Sequence, residues 1–234
     1  MKPISVPAPL TPTGILLAAG KGSRFDASGD TNKLLAPLQQ GAEVGLPVGF
    51  VAARRMRNAL SRVIVVIDAT SQHQAKLTTW FEKAGCEVLA IDNASEGMGS
   101  SLAAAIRESL LTKSAAEAAT SSESAESAQS AQSAQLPEAA GTRGWIVGLA
   151  DMPMIAPATL QAIALALTEA SSVVAPVYEG QRGHPVAFGA AHGPALAALT
   201  GDMGARDLID AHGYTAMPTG DAGVIRDIDS PSDL

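Results

Sequence analysis

The sequence predicts a three-layer α/β/α fold on a mainly parallel sheet, and three observations carry that expectation. Several short segments are continuously apolar and rich in β-branched residues, as strands covered on both faces are. Segments with apolar residues at helical spacing stand between them, so that strand and helix alternate along the chain. The apolar runs stop abruptly at glycine or aspartate, which marks where loops leave the sheet.

The first run, Gly14-Ile15-Leu16-Leu17-Ala18-Ala19, is a short buried strand that breaks into the glycine-rich turn Gly20-Lys21-Gly22-Ser23. A helix is expected over 48–60, with Arg54, Arg55 and Arg57 on its polar side, followed by a β-branched strand over 63–67 that closes at Asp68. The alternation continues with a helix at 72–84, a strand at 87–91, a helix at 100–111 and a strand at 145–150. A helix at 157–169 and a strand at 172–177 come next, then a strand at 186–188 and a helix from about Ala205, capped by Asp202 or its neighbours. Residues 112–142 break the pattern, being mostly Ala, Ser, Glu and Gln with a near-repeat from Glu123 to Gln135. Such a tract has almost nothing to bury, so the entropy of ordering it goes uncompensated. It reads as a disordered surface insertion; the alternative is that the preceding helix extends into it, since alanine and glutamine are good helix formers.

At 234 residues the chain is sized for a single domain spanning 1–234. A net charge of -7 and an aromatic content of 3% supply neither the basic face nor the stacking surface of a nucleic-acid binder. A compact polyphosphate, by contrast, needs only a few local cations. Cys86 is the sole cysteine, which excludes an intrachain disulfide and a multi-cysteine zinc site and fits a reducing compartment. The N-terminus, broken by prolines from Pro3 to Pro12, lacks a signal-peptide pattern, and no apolar run approaches the roughly 20 residues of a membrane span. A cytoplasmic location without membrane contact is expected.

Four groups of residues point to chemistry. In Leu17-Ala18-Ala19-Gly20-Lys21-Gly22-Ser23-Arg24-Phe25, followed by Asn32-Lys33, glycines after a buried strand let backbone N–H groups turn toward one anion, and Lys21, Arg24 and Lys33 add positive charge. The spacing is neither a P-loop nor a dinucleotide fingerprint. Asp151 ends a buried strand in Leu149-Ala150-Asp151-Met152-Pro153, and Asp227-Ile228-Asp229 has the same shape near the C-terminus. Carboxylates ending neighbouring strands suit one Mg²⁺, a hard cation that takes oxygen ligands and shares them with phosphates. On a strand Asp227 and Asp229 would face the same way, so spacing leaves either as the partner of Asp151. Finally, Gly180-Gln181-Arg182-Gly183-His184-Pro185 and Gly201-Asp202-Met203-Gly204-Ala205-Arg206 set basic side chains among glycines; an ordinary hairpin accounts for the first equally well.

Taken in order, Leu17 to Lys33, Glu96-Gly97-Met98-Gly99-Ser100-Ser101-Leu102, Leu149 to Pro153, Arg182 to Pro185, Gly201 to Arg206 and Asp227 to Leu234 resemble the successive motifs of the molybdenum cofactor cytidylyltransferases, of the MobA-like NTP transferase family. The resemblance implies a Rossmann-like fold of the nucleotide-diphospho-sugar transferase type. It also implies that Leu17, Ala18, Ala19, Gly20, Lys21, Gly22, Ser23, Arg24 and Lys33 surround the nucleotide, with Arg24, Lys33 and Asp151 catalytic. Asp151 and Asp229 would hold Mg²⁺, Gly97, Met98, Ser100 and Ser101 would lie near base and ribose, and His184 and Arg206 would face a pterin acceptor. Leu-Ala-Ala-Gly is similar to the cytidylyl enzymes, where the guanylyl relatives tend to carry Leu-Ala-Gly-Gly. The expected activity is therefore transfer of CMP from CTP, or another NTP, to molybdopterin-type cofactor, with a molybdenum hydroxylase as possible recipient of the product. A guanylyltransferase or sugar-phosphate nucleotidyltransferase is the alternative of the same chemistry, and a noncatalytic carrier of the finished dinucleotide cofactor the alternative of another class. One departure stands out: Asp26 replaces the family's glycine after Arg-Phe, and Ala27 to Asn32 lengthen the loop, which must fold back if Lys33 is to reach the phosphates.

Overall fold

The computed structural model describes residues 11–20, 22–120, 142–202 and 204–234, with only the backbone described over 112–120. The expected alternation is present as β1 (Thr13–Leu17), α1 (Val48–Ala59), β2 (Val63–Asp68), α2 (Gln74–Lys83), β3 (Glu87–Ile91), α3 (Met98–Thr120), β4 (Gly144–Leu149), α4 (Pro157–Ala166) and β5 (Val173–Tyr178). It is succeeded by β6 (Gln181–Arg182), β7 (Val186–Gly189), α5 (Gly193–Ala197), α6 (Arg206–His212) and β8 (Thr215–Pro218).

β3, β2, β1 and β4 lie side by side and parallel. β7 enters antiparallel between β4 and β5, and β8 pairs parallel with β5. Gln181 pairs back on Tyr178 across a two-residue turn whose residues, Glu179 and Gly180, have φ of 47° and 82°. This is the geometry that a tight hairpin between twisted strands requires.

Alternate residues of each strand feed two cores, as the two-residue period of a strand dictates. Leu16, Val65, Ile146 and Val174 join α1, α2 and α4 on one face of the sheet. Ile15, Ile64, Val66, Trp145, Val147 and Val173 join α3, α5 and α6 on the other. Both sides of the central strands are thus removed from water, which is why those strands read as unbroken apolar runs. Cys86 is buried in the first core, and burial pushes its thiol up to about 12, so it is inert packing. Of the arginines on α1, Arg54 and Arg55 both bind the Glu43 carboxylate, and Arg55 also donates to Ile155 O at 3.1 Å, tying the 37–47 loop to the start of α4. No described helix is long and apolar enough to cross a membrane.

Three expectations are corrected. α3 continues to Thr120, so 112–120, expected to be disordered, is helical as its alanine content favours; the remaining residues of that tract, 121–141, lie outside the described residues. The segment at 226–229 is not a strand, because Ile228 makes a single backbone bond, to Asp151 O at 2.9 Å, in place of a ladder. Asp202 does not cap α6: Ala205 holds the cap position with no side-chain bond to the helix.

Candidate active site

β1 and β4 are parallel neighbours with Leu17 opposite Leu149, so the chain leaves both strands at the same end of the sheet. The backbone bond from Ala150 N to Leu17 O, 3.0 Å, carries the pairing one residue further. The loops leaving β1 and β4 are therefore set side by side, at the edge where ligands sit in open α/β sheets. After β1 comes the glycine turn, in which Gly22 adopts φ 62° and its carbonyl accepts from Phe25 N at 2.9 Å and Asp26 N at 3.2 Å. A side chain at Gly22 would be strained in that left-handed conformation.

The lengthened loop does fold back, and Asp26 organises it. Its carboxylate accepts from Ser28 N at 2.9 Å, Ser28 Oγ at 2.7 Å and Thr31 N at 2.7 Å. These bonds, the Ser28 hydroxyl first, hold the Asp26 carboxyl down at about 2. Asn32 Oδ1 then accepts from Leu34 N at 2.9 Å and caps a short 3-10 turn, Lys33–Leu35, that buries Leu34. With Leu34 pinned in the core, the neighbouring Lys33 is delivered into the space between the two strand ends.

Lys33 Nζ donates to Asp151 Oδ2 at 2.5 Å and stands 3.7 Å from Asp229 Oδ1. Arg24 Nη1 donates to Asp229 Oδ2, also at 2.5 Å. The Lys33 and Asp151 side chains are only 14% and 19% exposed, whereas that of Arg24 is 79% exposed. An exposed pair of the Arg24 kind is worth at most about 1 kcal/mol, so that guanidinium is free to leave its carboxylate. Asp229 is brought to Asp151 by the Ile228 bond, by burial of Ile228, and by Asp233, whose carboxylate accepts from Asp229 N at 3.1 Å and Ser230 N at 2.7 Å.

Asp227 joins them, and one carboxylate oxygen from each of Asp151, Asp227 and Asp229 lies within 4.8 Å of the others. Asp151 Oδ1 is buried with no hydrogen-bond partner among the described residues. An orphaned carboxylate oxygen inside an all-oxygen cluster fits a hard divalent cation. His184 lies near enough to feel Asp151 and Asp227, yet its imidazole titrates below the ordinary value. Burial is the main cause and the Arg182 charge the next, so the ring is neutral at pH 7.

These groups open on a cleft of about 580 Å³. Of the residues singled out from sequence, Leu17, Ala18, Ala19, Gly20, Gly22, Ser23, Arg24, Lys33, Gly97, Met98, Ser101, Asp151, Asp227 and Asp229 line it. Ser100, His184 and Arg206 do not: Ser100 is buried with its hydroxyl accepting from Gly201 N at 3.3 Å, and Arg206 is exposed at the start of α6. Lys21 lies outside the described residues. The sequence reading missed Phe25, Leu34, Ala94, Ser95, Leu149 and Asp202. A signal existed for Asp202. Gly97 and Gly99 are the glycines against which the 200–202 turn packs, Gly99 N donating to Gly201 O at 2.7 Å, and two glycines in Gly97-Met98-Gly99 announce such a close approach.

A glycine turn and two basic side chains, facing clustered carboxylates at the carboxyl edge of a parallel sheet, suit a metal-bound triphosphate. The MobA-like NTP transferase domain profile matches residues 14–216, and the chain belongs to that family. No curated protein matches the sequence. Among solved structures it is similar to Rv0371c of Mycobacterium tuberculosis H37Rv, with a TM-score of 0.66 and 22% identity over 97% of this chain and 96% of that one. The same protein is also known in complex with manganese. A nucleotidyl transferase of Methanothermobacter gives 0.66 and 19% over 95% and 94% of the two chains. The inositol-1-phosphate CTP transferase of T. maritima gives 0.58 and 13% over 97% and 92%. At these identities the structures bear on the fold, which is that of the nucleotide-diphospho-sugar transferases.

Proposed function

We propose that this nucleotidyltransferase moves CMP from CTP to the phosphate of a molybdopterin-type cofactor and releases pyrophosphate, with Mg²⁺ held by Asp151 and Asp229. The observation that carries the reading is the meeting of Lys33, Arg24 and three aspartates at one end of the sheet, beside the glycine turn. Mg²⁺ fits the carboxylate donors, and the manganese complex of Rv0371c supports a divalent ion in this fold. Preference for cytidine rests on Ala19 in Leu-Ala-Ala-Gly, and the pterin acceptor on the resemblance in motif order.

In this reaction an acceptor phosphate oxygen attacks the α-phosphorus of CTP. A new P–O bond forms as the bond to the bridging oxygen breaks, and its electron pair leaves on pyrophosphate. The attacking phosphate is already ionised near neutral pH, so no side chain need remove a proton, in keeping with the absence of a Ser/His or Cys/His pair among the described residues that line the cleft. Amide groups of Gly20, Gly22 and Ser23 receive the triphosphate, and Lys33 and Arg24 neutralise charge on the α-phosphoryl and leaving oxygens. A divalent ion held by Asp151 and Asp229 would supply further neutralisation of the phosphate charge.

The test is pyrophosphate release by the purified chain with molybdopterin and each of CTP, GTP, UTP and ATP in the presence of Mg²⁺. CTP is expected to lead by about tenfold or more, the value of roughly one well-placed recognition contact. Equal rates with all four nucleotides would remove the cytidine assignment, and release indifferent to molybdopterin would remove the acceptor.

A further inference from the structure

We infer that Lys33 is a built-in stand-in for the metal, its ammonium filling the carboxylate cluster and moving to the phosphates when a metal-bound triphosphate enters, so that metal and nucleotide each strengthen the other's binding. The inference rests on the metal site proposed for Asp151 and Asp229 and adds to it an exchange of partners.

Lys33 Nζ sits between two of the three aspartates, 2.5 Å from Asp151 Oδ2 and 3.7 Å from Asp229 Oδ1. A point cation in that position does part of what a divalent ion does there, which is to keep like charges together. It does so incompletely. Lys33 satisfies one oxygen of Asp151 and leaves Oδ1 buried without a partner among the described residues, where Lys33 and Arg24 alone form ion pairs with the three carboxylates. A cation of higher charge and coordination number is therefore the better occupant, and Lys33 is what it must displace.

The displaced ammonium needs a new anion. Left beside a dication at 14% exposure it would suffer both repulsion and poor hydration, so metal alone binds against resistance. A triphosphate in the glycine turn removes that resistance. The Lys33 stem already runs along the turn, its Cγ and Cδ lying 3.6 and 3.8 Å from where a side chain on Gly22 would begin. Both the carboxylates and the phosphate position are thus within the swing of one flexible four-carbon stem. Arg24 cannot play the same part, because at 79% exposure its charge is held in solvent and excludes nothing. Since each ligand relieves a penalty on the other, the coupling is reciprocal.

The test is Mn²⁺ binding to the full chain, read from the electron paramagnetic resonance signal of free Mn²⁺, and CTP binding in EDTA, read by calorimetry. Lys33→Met is expected to tighten Mn²⁺ alone by about tenfold, within the usual range of coupling between sites, and to weaken CTP without metal. Arg24→Met should leave the affinity for Mn²⁺ alone near that of the wild type. Equal Mn²⁺ affinity in Lys33→Met and the wild type overturns the exchange while keeping the metal site; no Mn²⁺ binding by either overturns both. Should Lys33→Met not fold, acetylation of Lys33 in the wild type, monitored by mass spectrometry, decides the matter. Mn²⁺ alone should raise it by freeing the amine, and unchanged labelling overturns the exchange.

Discussion

Asp151 carries more of the described site than any other side chain, since it stands two residues past the end of β4, holds Lys33 and retains one buried oxygen without a partner among the described residues. Asp151→Asn keeps the shape and removes the charge. It should lower kcat by about 100-fold or more, the scale of losing one electrostatic stabiliser, with an unchanged circular dichroism spectrum. Near-full activity in that variant would dismiss Asp151 as a ligand. Asp26 acts at one remove, by shaping the loop that returns Lys33. Its folded pKa of about 2 lies below the ordinary 3.8, so the loop's stabilisation is complete above that ordinary value and is lost as pH falls toward about 2. Relative to the intrinsic rate at each pH, amide exchange at Ser28 and Thr31 should accordingly accelerate on acidification through that window and not on raising the pH. Asp26→Ala should show the fast exchange already at neutral pH, together with a raised KM for nucleotide.

At the level of elements, the approach of the 200–202 turn to the start of α3 depends on the absence of side chains. A Cβ on Gly97 would lie 2.2 Å from Asp202 Oδ1 and 2.5 Å from Gly201 C, and the residue sits at φ 120°. Gly97→Ala should therefore cost about 2 kcal/mol in a urea titration, from overpacking and backbone strain together, and should raise KM by displacing Asp202 and Met98 from the cleft. A change below the error of the titration would show that the turn moves away at no cost. The strands and helices around this contact were legible in the sequence because their periodicities are imposed by burial: β1, β2 and β4 are covered on both faces and read as unbroken apolar runs. β8 was not, having three of four residues exposed and ending in Pro218, so that only its pairing with β5 marks it as a strand. The site was legible where chemistry and position coincide, as at Gly20 to Arg24, Lys33 and Asp151. It was less so at Asp227 and Asp229, because a single backbone bond to Asp151 O sets the segment's place and no pattern of residues announces it.

Across the whole molecule, the described lining of the cleft comes from residues between 17 and 101 and then between 149 and 229. Where α3 approaches β4, Trp145 Nε1 donates to Ser109 Oγ at 2.8 Å, so the chain on either side of the tract is already close together. The last buried apolar residue of α3 before the tract is Leu110, and Leu111 is 59% exposed. Replacing Lys113 to Gly141 by a short glycine-serine linker therefore removes no described core side chain. It also shortens the chain between α3 and β4, and closure entropy changes only slowly with length, so stability should hold or rise slightly. The shortened protein should keep kcat/KM within about twofold and an unchanged or higher Tm. Insoluble product, or a Tm lowered by several degrees, would mean that the tract packs on the α3–α5–α6 face and belongs to the fold. Retained stability with lost turnover would instead give it a part in the reaction, a part that the arrangement of Lys33, Arg24 and the three aspartates does not require.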